Sequence, residues 1–157
     1  MAGWLAKLFG MRGRPRRQAE TVPVRRFTAT DVTLSRDGVS VEEEGWLIES
    51  REERVVRLFE IPAPDLEQCL LTYRAGMKCE DLAGRAYLEM WCRFSGRGEY
   101  FSKGFRQALK GTTDWSSCET SFRLRRGERP DLIKLNVVME GPGRVWVKDV
   151  ELLKTPL

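Results

Sequence analysis

The sequence predicts an all-β fold, an antiparallel β-sandwich, and three observations predict it. Residues 86–94, AYLEMWCRF, alternate for the length of a strand: Ala86, Leu88, Met90, Cys92 and Phe94 on one side, Tyr87, Glu89, Trp91 and Arg93 on the other. Similar stretches recur at intervals of roughly 10–15 residues, bounded by Gly, Pro and Asp turns. Between them no apolar stripe of helical period appears, so the strands must cover one another rather than be covered by helices.

Taken in order, residues 1–17 come first and stand apart. On a helix, Trp4, Leu8 and Met11 fall at i, i+4, i+7, flanked by Leu5 and Phe9, and Arg12, Arg14, Arg16 and Arg17 follow. So short an amphipathic helix is marginal alone in water and needs a surface to form on. An anionic bilayer is one such surface, each arginine adding about 1 kcal/mol near it. A groove on a membrane protein, or the chain's own domain, would serve as well. Residues 18–26 read as a linker, and 27–157 as the domain. Within it, 27–34 alternate loosely before a turn at Arg36, Asp37 and Gly38, and Val39 and Val41 continue as a hairpin partner. Residues 46–48 and 55–61 are the next strand candidates, the latter stopped by Pro62 and Pro64.

From Leu70 the alternation is regular. Leu71, Tyr73, Ala75, Met77 and Cys79 share one face, with Thr72, Arg74, Lys78 and Glu80 on the other. A connector over 81–85 leads into AYLEMWCRF. Strands follow over 99–105 and 118–125, the second with Phe122 and Leu124 inward. In the strand over 132–140, Ile133, Leu135, Val137 and Met139 point inward, while Lys134, Asn136 and Glu140 point outward. VWVKDVELL closes the domain, with Trp146 pointing off the core face.

Composition narrows the functions. The 157 residues are enough for one domain with a core, and 41% apolar with 32% charged residues describe a globular chain. The net charge of +4 is unevenly spread: residues 1–26 carry +6 and the remainder −2. A mildly acidic domain lacks the electrostatic footprint of a nucleic-acid binder, so nucleic acid is not expected as a partner. With no histidine, acid–base catalysis near neutral pH lacks its usual agent, and no phosphate loop or nucleophile elbow is present. A carboxylate pair of Glu89 with Glu140 or Glu80 would sit among arginines that oppose a raised pKa. No enzyme is predicted. Cys69, Cys79, Cys92 and Cys118 match no zinc spacing and would all be needed for a site without histidine, so neither metal nor cofactor is expected. They read as buried thiols of a cytoplasmic protein, since no secretory signal is evident.

The succession AYLEMWCRF, GTTDW, LNVVMEGPG and VWVKDVELLK resembles the galactose-binding-like jelly rolls, a superfamily that includes many bacterial carbohydrate-binding modules. The likeness covers about residues 70–154, with 27–61 supplying the first strands. It implies a jelly-roll sandwich, to which the spacing in residues 1–17 adds a short N-terminal amphipathic helix. Its functions range over sugar binding, protein contacts and assembly factors such as those of respiratory complex I. The resemblance implies a concave face made from the outward rows of three strands: Arg74 and Lys78; Tyr87, Glu89, Trp91 and Arg93; Lys134 and Asn136. Trp91 or Tyr87 would stack on a sugar while Glu89, Arg93 and Asn136 bond its hydroxyls. The same charges would equally serve as cross-strand pairs, or the face could be covered by a partner. Lys148 before Asp149, where relatives often have two acids, weakens a calcium site. Asp114 and Trp115 are expected to turn the chain and seal the sandwich edge.

Two functions therefore stand. The leading expectation is a non-catalytic accessory or assembly subunit, held by residues 1–17 at the inner face of a membrane or on a membrane-protein complex, respiratory or photosynthetic. The alternative is a carbohydrate-binding module using the face around Trp91.

Overall fold

The computed structural model describes residues 20–157, in which nine strands and one 3-10 turn are formed. The strands are β1 (Val22–Phe27), β2 (Val39–Val41), β3 (Gly45–Ser50), β4 (Arg54–Pro62), β5 (Cys69–Phe94), β6 (Gly98–Lys103), β7 (Leu109–Leu124), β8 (Leu132–Met139) and β9 (Gly143–Pro156); the turn spans Phe105–Gln107, between β6 and β7. The predicted helix and its residues Trp4, Leu5, Leu8, Phe9, Arg12, Arg14, Arg16 and Arg17 lie outside the described residues.

β5 governs the architecture. At about 3.3 Å per residue, its 26 residues would run some 86 Å if straight, far beyond the size of such a domain. It bends instead, near Asp81 and Gly84, whose φ angles are +51° and +78°. The half before the bend lies between β7 and β9. The half after it lies between β6 and β8. A first layer thus holds β7, the first half of β5 and β9, with β1 and the β2–β3 hairpin along the far edge of β9; a second holds β6, the second half of β5, β8 and β4. All pairs are antiparallel.

The bend requires backbones to touch. A Cβ on Gly141 would drive into the Ala83 carbonyl oxygen, and one on Gly84 would press on Glu140. The glycines of the β8–β9 turn therefore let β5 cross from layer to layer.

The inward rows of both halves of β5 and of β8 are buried as the alternation predicts, and they form a single core with the inward residues of β3, β4 and β9. Across the layers Phe27 stacks on Phe59 at 4.0 Å, and Trp46 meets Phe59 edge-on at 5.4 Å. Tyr73, from the first layer, donates its hydroxyl to the Asn136 carbonyl of the second at 3.2 Å. All four cysteines are free and buried. Burial pushes the Cys92 thiol up to about 12 and the Cys118 thiol to about 11, so both stay protonated at neutral pH.

Four local expectations are corrected. Residues 22–26, read as linker, belong to β1, an edge strand whose polar residues hide its period. Residues 28–34 form turns, so Val39–Val41 pairs with β3 and Glu42–Glu44 make the hairpin tip. Residues 81–85 are no separate connector but the bent middle of β5. Trp115 does not seal an edge: it is 37% exposed on the outer face of the first layer.

Candidate functional site

The outer face of the second layer is built from four registered strands. One row crosses it as Arg57, Asn136, Glu89 and Lys103, on β4, β8, β5 and β6. The next reads Glu60, Lys134, Trp91 and Phe101, and on its far side come Leu132, Arg93 and Glu99. Val138 and Tyr87 bound the face at its other end, where Phe105 of the 3-10 turn packs edge-on against Tyr87 at 4.8 Å.

Glu89 lies at the centre and is only 5% exposed. A buried carboxylate is costly unless its lone pairs are engaged. Oε1 accepts from Trp91 Nε1 at 2.8 Å and from Asn136 Nδ2 at 3.0 Å, while Oε2 faces Lys103 Nζ at 3.8 Å. This carboxylate is already engaged, so its role is to hold the Trp91 ring and the Asn136 amide in place. That differs from the expected direct bond to a sugar hydroxyl. The neighbouring charges are paired at the rim: Arg93 with Asp131 at 2.9 Å, Lys134 with Glu99 at 2.7 Å, Arg85 with Glu140. Arg85 holds the Glu140 carboxyl below its usual range.

Aromatic surface is what this face leaves open. Phe101 is 54% exposed beside Trp91, with ring centroids 5.1 Å apart, and Phe105 is 48% exposed. Lys103 Nζ stands 4.9 Å over the Phe101 ring, and Arg85 lies 4.8 Å over Phe105.

Six of the eight predicted face residues are thus brought together: Tyr87, Glu89, Trp91, Arg93, Lys134 and Asn136. Arg74 and Lys78 are not among them. They lie before the bend, on the outer face of the first layer, because that half of β5 pairs with β7 and β9 rather than with β8. Sequence reasoning missed Phe101, Lys103, Phe105 and Arg57. β6 is an edge strand exposed on both sides, so it lacks a contrast between faces; Arg57 precedes a register shift in β4 that breaks the period. Among the described residues no group of three or more His, Cys, Asp or Glu side chains stands where it could hold a metal ion. A groove of about 600 Å³ lies on the other layer beside Trp115.

No family model matches the sequence, and no curated protein matches it. Solved structures do. The CBM22-1 xylan-binding domain of Paenibacillus barcinonensis Xyn10C is similar with a TM-score of 0.58 at 10% identity, over 91% of this chain and 99% of that one. A second xylan-binding domain from CBM 22 has a TM-score of 0.54 at 8% identity, over 90% and 97%. A mutant of CBM29-2, a family 29 carbohydrate-binding module in complex with cellulohexaose, has a TM-score of 0.51 at 13% identity, over 90% and 94%. At such identities the likeness is one of fold: the chain is a β-sandwich of the kind found in carbohydrate-binding modules, in keeping with the galactose-binding-like jelly roll. The same likenesses correct the leading functional expectation. They are to carbohydrate-binding modules and not to subunits of membrane complexes, so the membrane-tethered accessory subunit gives way to the alternative.

Proposed function

We propose that this chain is a non-catalytic carbohydrate-binding module that lays a linear, neutral polysaccharide along the outer face of its second layer. One observation carries the reading: two exposed rings, Phe101 and Phe105, bracket a polar row. Phe101 pairs with Trp91 and Phe105 packs on Tyr87, four strand residues away, so the rings stand about 13 Å apart along β5. Between them lie Asn136, Lys103 and the buried Glu89 that fixes the Trp91 ring. A pyranose chain offers the matching alternation, apolar C–H faces for the rings and hydroxyls for the Lys103 ammonium between them. The rim ion pairs cancel locally, which suits a neutral ligand better than an anionic one.

Xylan and cellulohexaose, which the similar structures' names mention, are the first probes for isothermal titration of the full chain, alongside other neutral β-glycans. Binding is expected to weaken about tenfold or more in Phe101→Ala and again in Trp91→Ala, each losing roughly one aromatic contact. Affinity unchanged from that of the unmutated chain in both variants, or no binding to any glycan, removes the reading.

A further inference from the structure

We propose a second saccharide site, a trough across the outer face of the first layer, for a neutral pyranose oligosaccharide of two or three residues. It rests on the carbohydrate reading of the fold but uses none of the residues of the face just described.

Three outward rows define the trough. The first is a ladder of ion pairs across four strands: Glu119, Arg74, Glu151 and Arg26. Arg74 reaches Glu119 at 3.1 Å and Glu151 at 3.7 Å, and Arg26 reaches Glu151 at 3.2 Å. The third row is aromatic and basic. Trp146 pairs with Lys78, whose ammonium stands 4.7 Å from the Trp146 ring and 5.2 Å from that of Trp115. Between them runs a row of Ser117, Gly76 and Lys148. The first and third rows are separated by four residues along β5, from Arg74 to Lys78, about 13 Å. Because Gly76 has no side chain, the space between them stays open as the groove of about 600 Å³, within the range of small-ligand sites.

The walls are chemically unlike, as a sugar is on its two sides. The indole of Trp115 carries the Lys148 ammonium at 4.2 Å and the Lys78 ammonium at 5.2 Å over its ring, and offers its remaining exposed surface to a pyranose C–H face. Opposite it, carboxylates and guanidiniums alternate and can accept from or donate to hydroxyls. Lys78 makes no ion pair among the described residues, which leaves its ammonium free to donate. Two acids balance two bases on the ladder, and Glu44 takes Lys148 at 3.3 Å at the mouth beside Glu42 and Glu43. An anionic glycan would be repelled by these carboxylates, whereas the hydroxyls of a neutral one can donate to them. This trough crosses the strands, whereas the platform of the other layer follows them.

Titrating the full chain with xylohexaose and with cellulohexaose tests both sites at once. Gly76→Val fills the trough without removing an aromatic ring; its Cβ would sit 3.3 Å from a Lys148 side-chain carbon that can move aside. Trp115→Ala removes the apolar wall, and thermal melting checks that each variant folds. The expected result is two equivalents bound per chain, falling to one in Gly76→Val and in Trp115→Ala, with the surviving equivalent sensitive to Phe101→Ala. Loss of all binding in Phe101→Ala, with Gly76→Val and Trp115→Ala unchanged, overturns the trough and leaves the platform. One equivalent that survives Phe101→Ala but not Gly76→Val upholds the trough and removes the platform. No binding of either oligosaccharide removes both.

Discussion

The two halves of β5 are one continuous strand with matching apolar inward rows, yet their outward rows live in different physics. After the bend, Glu89 is buried, accepts hydrogen bonds from Trp91 and Asn136, and forms an ion pair with Lys103. Before the bend, Arg74 and Lys78 remain in partial contact with water and are held by ion pairs and indole rings. The inward pattern decides that a strand buries a face. What its outward face becomes is decided by the neighbours: β6 and β8 shelter a carboxylate, whereas β7 and β9 leave a ladder of ion pairs at the surface. Fixed geometry belongs to the first arrangement and adaptability to the second, since a buried charge tolerates one set of partners only.

The strongest way to break this comparison is to unhinge the halves. Gly141→Ala forces a methyl group against the Ala83 carbonyl at the bend and is expected to cost about 3 kcal/mol in urea denaturation, with both layers losing stability together. A loss below about 1 kcal/mol would mean that the bend is not held by this contact. Next comes the contrast itself. Glu89→Ala strands the buried Asn136 amide and the Trp91 N–H and should cost about 2 kcal/mol, with a change in tryptophan fluorescence. Arg74→Ala, half exposed, should cost about 0.5 kcal/mol. Equal losses would erase the distinction between the two outward rows.

The smallest effect is pH-dependent and sits where the halves meet. Arg85 holds Glu140 below its ordinary value of 4.5, so the folded state releases this proton more readily than the unfolded chain. The stabilisation is therefore fully present above the unfolded value and is lost as pH falls through the lowered folded one. The melting temperature of the protein should exceed that of Glu140→Gln at pH 7, with the gap closing on acidification below about pH 4.5. A gap that stays constant to pH 2 would show that Glu140 acts through packing rather than charge.

Legibility in the sequence followed the contrast between faces. Leu71 to Cys79, Ala86 to Phe94 and Ile133 to Met139 could be assigned because each inward row is apolar and each outward row is not. Trp146 was legible as a residue off the core face for the same reason. Phe101 was not, since an edge strand shows water to both sides and loses its period. Trp46, at the start of the short candidate strand 46–48, proves to be core, packed edge-on against Phe59 from a strand it never pairs with.

By itself, the sequence determined the strands whose two faces contrast, their inward rows and the β-sandwich class, because burial with a period of two is a local property readable along the chain. Tertiary structure alone decided which outward rows meet. Arg74 and Lys78 stand within twenty residues of Trp91, yet the bend at Asp81 and Gly84 sends them to the opposite layer, while Lys103 and Asn136 are brought to Glu89 from β6 and β8. Strand pairing is a choice among distant partners made by backbone hydrogen bonds and by the close approach that Gly141 permits, and no local pattern encodes it.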